Sequence, residues 1–260
     1  MKGGLAQYNL AQYNSILARR RFFVDSVQHD SASLGGDEAR HLTRVLRVQP
    51  GQQYEISDNR SAWLAEIVEA RGGRVLFRIL EPIDTPPPPV RITLCAALIK
   101  FDRFEWIVEK ATELGVERIL PVEAARTEKG LFEASGKRAE RWRRIARESA
   151  QQSRRSTIPE ILPAVRFGQA LSQDADYRYF LDEAAAPPLL SALPTTLASS
   201  DRVAVLLGPE GGWTDDERRL AHDAAWRAVS LGPQILRAET AAAAALAVVT
   251  AGWLTAYNVT

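Results

Sequence analysis

The 260-residue chain has one cysteine, three histidines and a formal net charge of only +1. A single thiol excludes a disulfide framework and any multi-cysteine metal site, and it points to a reducing, cytoplasmic setting. Cys95 lies within the apolar run of residues 92–98, which marks it as a small core residue. His29, His41 and His222 are scattered, without carboxylates at ligand spacing, so no metal is expected. No stretch of about 18 consecutive apolar residues is present to span a membrane, and the N-terminus lacks the basic-then-apolar secretory pattern. No membrane partner is expected. The phosphate loop G-x-x-x-x-G-K-S/T, the dinucleotide fingerprint G-x-G-x-x-G and the zinc motif H-E-x-x-H are all missing, which removes the common nucleotide and zinc readings. With so balanced a charge, nucleic acid could be met only through a face where cations are concentrated.

What the chain does have is a glycine-rich turn, Gly208-Pro209-Glu210-Gly211-Gly212-Trp213, directly after the apolar run 203–207. Glycines there present backbone N–H groups without a Cβ in the way, and proline limits the entropy lost on ordering. Thr214-Asp215-Asp216-Glu217 follows as a capping box with an acidic first turn, so the turn joins a strand to a helix. In open α/β sheets such connections hold ligands. Some twenty residues on, a second segment answers it, Ser230-Leu231-Gly232-Pro233-Gln234-Ile235-Leu236-Arg237-Ala238-Glu239-Thr240-Ala241.

Along the chain, residues 1–18 carry the near-repeat Ala6-Gln7-Tyr8-Asn9 and Ala11-Gln12-Tyr13-Asn14, read as an extension outside the fold. Residues 19–82 are β-rich, with strands expected over 54–57, 62–68 and 75–80. One helix, 37–48, places Leu42, Val45 and Leu46 inward and Arg40, Arg44 and Arg47 outward. Pro82 and Pro86–Pro89 cannot continue a strand ladder, so 83–89 is read as a stiff linker. Residues 90–260 alternate strands (92–98, 118–122, 177–181, 203–207, 228–231) with helices, which predicts an α/β domain with a largely parallel sheet. Its last helix, 240–257, opens on small residues suited to close packing inside the chain or at a subunit interface.

The cations are gathered. Residues 137–155 hold eight lysines and arginines against two acids, ending in Arg154 and Arg155, and an inward stripe of Trp142, Ile145, Ala146 and Ser149–Ala150 turns them to solvent. Such a helix is either an RNA-binding face or simply a solvated one. In 100–115, Phe104, Ile107, Val108, Ala111 and Leu114 form a buried stripe stopped by Gly115, while Lys100 and Arg103 stand at the strand-to-helix corner, where cations reach a ligand or only solvent.

These segments, with Glu113-Leu114-Gly115, the helix from Arg141 through Gln152-Ser153, and the opening Arg20-Arg21-Phe22-Phe23, together resemble the small-subunit ribosomal RNA methyltransferase E family of the SPOUT superfamily. The likeness covers about residues 20–256. Arg40-His41-Leu42 and Val45-Leu46-Arg47 resemble that family's PUA-like RNA-binding module. The resemblance implies a C-terminal trefoil knot binding S-adenosylmethionine, a homodimer, and methylation of N3 of one uridine in 16S rRNA of the 30S subunit. It places the cofactor against Leu207, Gly208, Pro209, Glu210, Gly211, Gly212, Leu231, Ile235, Leu236, Arg237 and Ala241, and RNA against Arg20, Arg21, Arg40, Arg44, Arg47, Lys100, Arg103, Arg154 and Arg155. The sequence departs from the family's pattern at Phe101 and Arg154, where glycine is usual, and at Gln151, where glutamate is usual. Residues 1–18 have no counterpart.

Glu210, the only carboxylate in the turn, is a candidate for taking the N3 proton, or else it organises the turn. Arg237 is a candidate for stabilising charge on a uracil oxygen, or else it pairs with Glu239. Other readings stand beside this one: a knotted methyltransferase acting on a ribose 2′-oxygen or on tRNA, or a noncatalytic RNA-binding assembly protein.

Overall fold

The computed structural model describes residues 21–184 and 186–257. The expected extension 1–18 and the candidate Arg20 lie outside the described residues. The chain divides into two compact units, one running to Thr85 and including Gln151–Thr157, the other holding Pro86–Ala150 and Ile158 onward.

The first unit is a six-stranded sheet of β1 (Arg21–Phe23), β2 (Ser26–Gln28), β3 (Ser31–Leu34), β4 (Gln53–Ser57), β5 (Ala62–Arg71) and β6 (Arg74–Ile83), in the order β1-β4-β5-β6-β3-β2. Gly72 and Gly73, both at positive φ, form the two-residue turn that closes the β5–β6 hairpin. Helix α1 (Gly36–Arg44) buries Leu42 with Phe22, Ile56, Ile67 and Phe77 in the core. It stops earlier than its periodicity predicts. Arg47 takes φ 49°, so the chain has left the helix and Val45, expected inward, is 65% exposed. Pro82 also departs from expectation, for it lies inside β6 opposite Trp63. The β3 side of β6 is paired only from Val75 to Arg78, so the missing N–H of Pro82 costs no ladder bond.

The second unit is a seven-stranded sheet of β7 (Arg91–Ala97), β8 (Arg118–Glu123), β9 (Glu160–Ile161), β10 (Val165–Arg166), β11 (Tyr177–Leu181), β12 (Arg202–Leu207) and β13 (Arg227–Val229). Every pairing is parallel, along the path β10-β8-β7-β12-β11-β13, with β9 also on β8. Successive side chains point to opposite faces. Leu94, Val205 and Leu207 join a cluster with α2 (Phe101–Glu113), α3 (Leu131–Gln152) and α7 (Ala238–Tyr257), while Cys95 and Leu206 join Phe180, Trp213 and Trp226 on the other face, near α4 (Phe167–Ala170) and α6 (Asp215–Asp223). A short helix, α5 (Leu189–Ala192), completes the set. Coverage on both faces is why these strands read as unbroken apolar runs.

Helix α2 buries Phe104, Ile107, Val108 and Ala111, and Gly115 at φ 91° ends it. Helix α3 buries Trp142, Ala146, Ser149 and Ala150, leaving Arg143 and Arg144 exposed. Helix α7 packs Ala242, Ala245, Leu246, Val249 and Trp253 into the core. Its stretch Ala238–Thr255, though interrupted by Glu239 and Thr250 and so not an unbroken apolar run, is long and apolar enough by length and composition alone to cross a membrane, with mean hydropathy 1.3, and 33% of it is buried. Because β12, β11 and β13 are parallel neighbours, their carboxyl ends, Leu207, Leu181 and Val229, open onto one edge.

Candidate active site

Three loops leave that edge, and together they enclose a cavity of about 720 Å³. The first follows β11 and carries Asp182, Glu183 and Ala186. The second is the glycine-rich turn after β12. The third runs from Ser230 into α7. The first and third loops are stitched by backbone: Ser230 N–H donates to the Pro187 carbonyl at 2.9 Å, and Leu189 N–H to the Ser230 carbonyl at 2.9 Å. Ser230 Oγ adds a bond to the Ala186 carbonyl at 3.0 Å.

The glycine turn is fixed from beneath by Trp213. Its Nε1 donates to the Leu181 carbonyl at 2.8 Å, its ring stacks on Phe180 at 4.8 Å, and it passes so near Gly208 that a Cβ there would lie 3.0 Å from the indole. From outside, Arg126 donates to the Gly211 carbonyl at 2.6 Å and the Trp213 carbonyl at 3.2 Å. Gly212 has φ 68°, and a Cβ on it would fall 2.4 Å from Glu183 Oε1. The positive φ is what calls for glycine here, since the exposed end of Glu183 can swing aside. The capping box holds the helix that follows: Thr214 Oγ1 accepts from Glu217 N–H at 3.2 Å, and Glu217 accepts from Thr214 N–H at 2.9 Å and from Ala125 N–H at 2.8 Å.

Charges at the rim are sorted. Asp182 accepts two bonds from Arg218, at 2.9 and 3.0 Å. Burial pushes the Asp182 carboxyl upward, but the Arg218 hydrogen bond, with N–H groups of Ala184 and Glu183, outweighs this and holds it below the ordinary carboxylate value. Arg218 also donates to the Trp213 carbonyl at 2.9 Å, tying the first loop to the second. Arg103 pairs with Glu210. Among the described residues Glu183 and Arg237 have no ion pair. Arg237 does not pair with Glu239, whose Oε2 is buried without a hydrogen-bond partner.

All of the proposed cofactor residues line this cavity except Gly211, whose Cα is turned toward Arg126. Glu183, Asp182, Trp213 and Ala238 line it as well, and the sequence reading missed them. No local pattern marks the first loop; only the pairing of β11 beside β12 brings it here. Isoleucine at 235 is 85% exposed on the cavity wall.

The proposed RNA residues fare differently. Arg21 must be corrected: its side chain is 7% exposed and bonded to buried Glu55, so it is a core ion pair with no surface to offer. Arg154 pairs with the same Glu55, while Arg21 donates to the Arg154 carbonyl at 2.7 Å. Arg154 has φ 58°, the conformation that explains why glycine suits this position. Arg103 is at the cavity, paired with Glu210. Arg40 pairs with Asp37, and Lys100, Arg44 and Arg47 are exposed; Arg155 is half-buried. The other two departures from the family's pattern also have local partners. Gln151 donates to Glu38, where a second carboxylate would repel, and Phe101 packs edge-on against Trp142 at 5.9 Å beneath the Arg138 guanidinium.

Burial pushes the Cys95 thiol up to about 12, so it offers no nucleophile. Among the described residues no group of three or more histidines, cysteines and acids is arranged to hold a metal ion.

A family model described as an RNA methyltransferase domain matches residues 86–250, and one described as an RNA methyltransferase PUA domain matches residues 34–80. The chain is 33% identical over 255 residues to the ribosomal RNA small subunit methyltransferase E of Synechocystis, covering 92% of this chain and 77% of that one. It is 29% identical to the protein of that name from Bacillus subtilis, covering 88% and 95%. Among solved structures it is similar to a ribosomal RNA small subunit methyltransferase E from Neisseria gonorrhoeae bound to S-adenosyl methionine, with TM-score 0.82, 31% identity, and coverage of 90% and 98%. A methyltransferase from Legionella pneumophila solved with its bound cofactor gives TM-score 0.81 at 28% identity, over 90% and 97%.

Proposed function

Since the chain belongs to the ribosomal RNA small subunit methyltransferase E family, we propose that it transfers a methyl group from S-adenosylmethionine to N3 of one uridine in 16S rRNA. The observation that carries this is the three-loop cavity at the carboxyl ends of β12, β11 and β13. The residues present fit the donor. A cavity of about 720 Å³ is of the size that small-molecule sites have. Leu181, Leu207, Val229 and Leu236 give it an apolar wall, and the turn meets the ligand through glycine backbone at Gly208 and Gly212. We infer that the loops thread as the trefoil knot of the SPOUT fold.

S-adenosylmethionine, when bound, supplies an electrophilic methyl group. What the chain supplies is position and proton handling. Uracil N3 lies on the pairing edge, so the base must be unpaired or swung out to reach the cavity. Holding it in line with the methyl group is worth about 7–11 kcal/mol of barrier without any covalent intermediate. A new N3–C bond forms as the bond to sulfur breaks, and the N3 proton passes to Glu210, which Arg103 orients at the rim. Arg237, exposed on the cavity and without an ion pair, donates to the uracil oxygen that gains negative charge.

The first unit serves as an RNA-binding module through Arg40, Arg44, Arg47 and Arg155, and Lys100 of the second unit meets RNA on its own account. In this reading the domains are 19–82 and 90–260 joined by 83–89, with Gln151–Thr157 returning to the first, the working form is a cytoplasmic homodimer, and the apolar surface of α7 left uncovered within the chain is the subunit contact. The substrate is 16S rRNA or the 30S particle.

Glu210→Gln and Arg237→Ala separate chemistry from binding. Both variants are expected to bind S-adenosylmethionine within about threefold of the unaltered chain and to lose about 10²–10³ in single-turnover methylation. Normal turnover in both removes these roles.

A further inference from the structure

We propose that Glu183 is the residue that holds the ribose hydroxyls of the donor's adenosine. This rests on the donor-site reading above. Three observations converge on it. Glu183 lies just beyond the carboxyl end of β11, beside the strand that feeds the glycine turn. An acidic residue at the end of a neighbouring strand is how dinucleotide-binding sheets take a ribose. Its carboxylate rests on Gly212, with Oε1 2.4 Å from where a Cβ would stand, so the acid and the turn backbone share one wall.

The third observation is how the acids are committed. Of the acids lining the cavity, Asp182 is held by Arg218 and Glu210 by Arg103, whereas Glu183 has no hydrogen bond or ion pair through its carboxylate among the described residues. Two carboxylate oxygens can each accept from one of two hydroxyls fixed side by side on a ring. Glu183 is exposed, so its carboxylate is open to a ligand entering the cavity. A vicinal diol satisfies both oxygens in a single geometry, and that favours the ribose over the ammonium group of the amino-acid end.

Calorimetric titration of the full chain, Glu183→Gln and Glu183→Ala tests this with three probes: S-adenosylhomocysteine, 5′-methylthioadenosine, and the 2′,3′-dideoxy form of the latter. In Glu183→Ala, S-adenosylhomocysteine and 5′-methylthioadenosine are expected to weaken by a common factor, about 10- to 100-fold. The unaltered chain should prefer 5′-methylthioadenosine over its dideoxy form by a similar factor, and the alanine variant should show a ratio near one. The Gln variant, keeping one acceptor oxygen, should fall between. Unchanged binding in Glu183→Ala overturns the proposal, as does a loss confined to S-adenosylhomocysteine, which would assign the carboxylate to the amino-acid end. An unaltered chain that binds none of the probes strikes the donor site itself.

Discussion

At the scale of single residues, the cavity depends on ion pairs that pull its loops together, and Asp182–Arg218 is the most buried of them, with side chains 6% and 28% exposed. Asp182→Asn is expected to cost about 1–3 kcal/mol in urea denaturation at neutral pH. Because the folded-state pKa of Asp182 is depressed, its contribution is complete above the unfolded value of about 3.9 and is lost as pH falls through the lower folded value. The gap between the two proteins should therefore close below about pH 4, and a gap that persists unchanged in acid would refute the linkage. Which residues line the cavity was partly legible. Gly208, Pro209, Glu210 and Gly212 announce themselves because glycine and proline encode backbone geometry locally. Glu183 and Asp182 do not, since their meaning comes from a strand pairing twenty-odd residues away in sequence. Arg21 misled for the same reason: an arginine reads as surface until its partner Glu55, itself 2% exposed, is seen.

At the scale of elements, the parallel strands and the helices α2, α3 and α7 were readable because each is long and strongly patterned. The strands β1, β2, β9 and β10 span only two or three residues each, too few to show any period. Helix α1 was overextended because Val45 and Leu46 continue its apolar spacing, although the left-handed Arg47 ends it. In the proposed reading binding rests on the turn after β12, where Gly212 sits at φ 68°. Gly212→Ala places a side chain at positive φ, costing about 1–2 kcal/mol, and makes the end of the Glu183 side chain shift aside. We expect affinity for S-adenosylmethionine, measured by calorimetry, to fall about tenfold or more. Unaltered affinity would show that the turn does not form the donor wall.

At the scale of the whole molecule, two-unit organisation was anticipated from the proline-rich stretch, yet the return of Gln151–Thr157 to the first unit was not. That heptapeptide is anchored there by Glu55 and by Ser57 Oγ, which donates to the Ser156 carbonyl at 2.7 Å. No local pattern foretells a bond across about a hundred residues. With a net charge of +1, RNA affinity must come from local cations. Arg44 and Arg47 are exposed and unpaired among the described residues, so removing both should flatten the log–log salt dependence of rRNA binding by about 0.7–0.9 for each phosphate no longer neutralised; an unchanged slope would take the RNA face elsewhere. The most direct test of the account is to incubate the chain with 16S rRNA or 30S particles and methyl-labelled S-adenosylmethionine, digest the RNA, and identify the labelled nucleoside by mass spectrometry. The account predicts label in N3-methyluridine at one position. Label on a ribose oxygen or in tRNA alone, or no transfer at all, would contradict it.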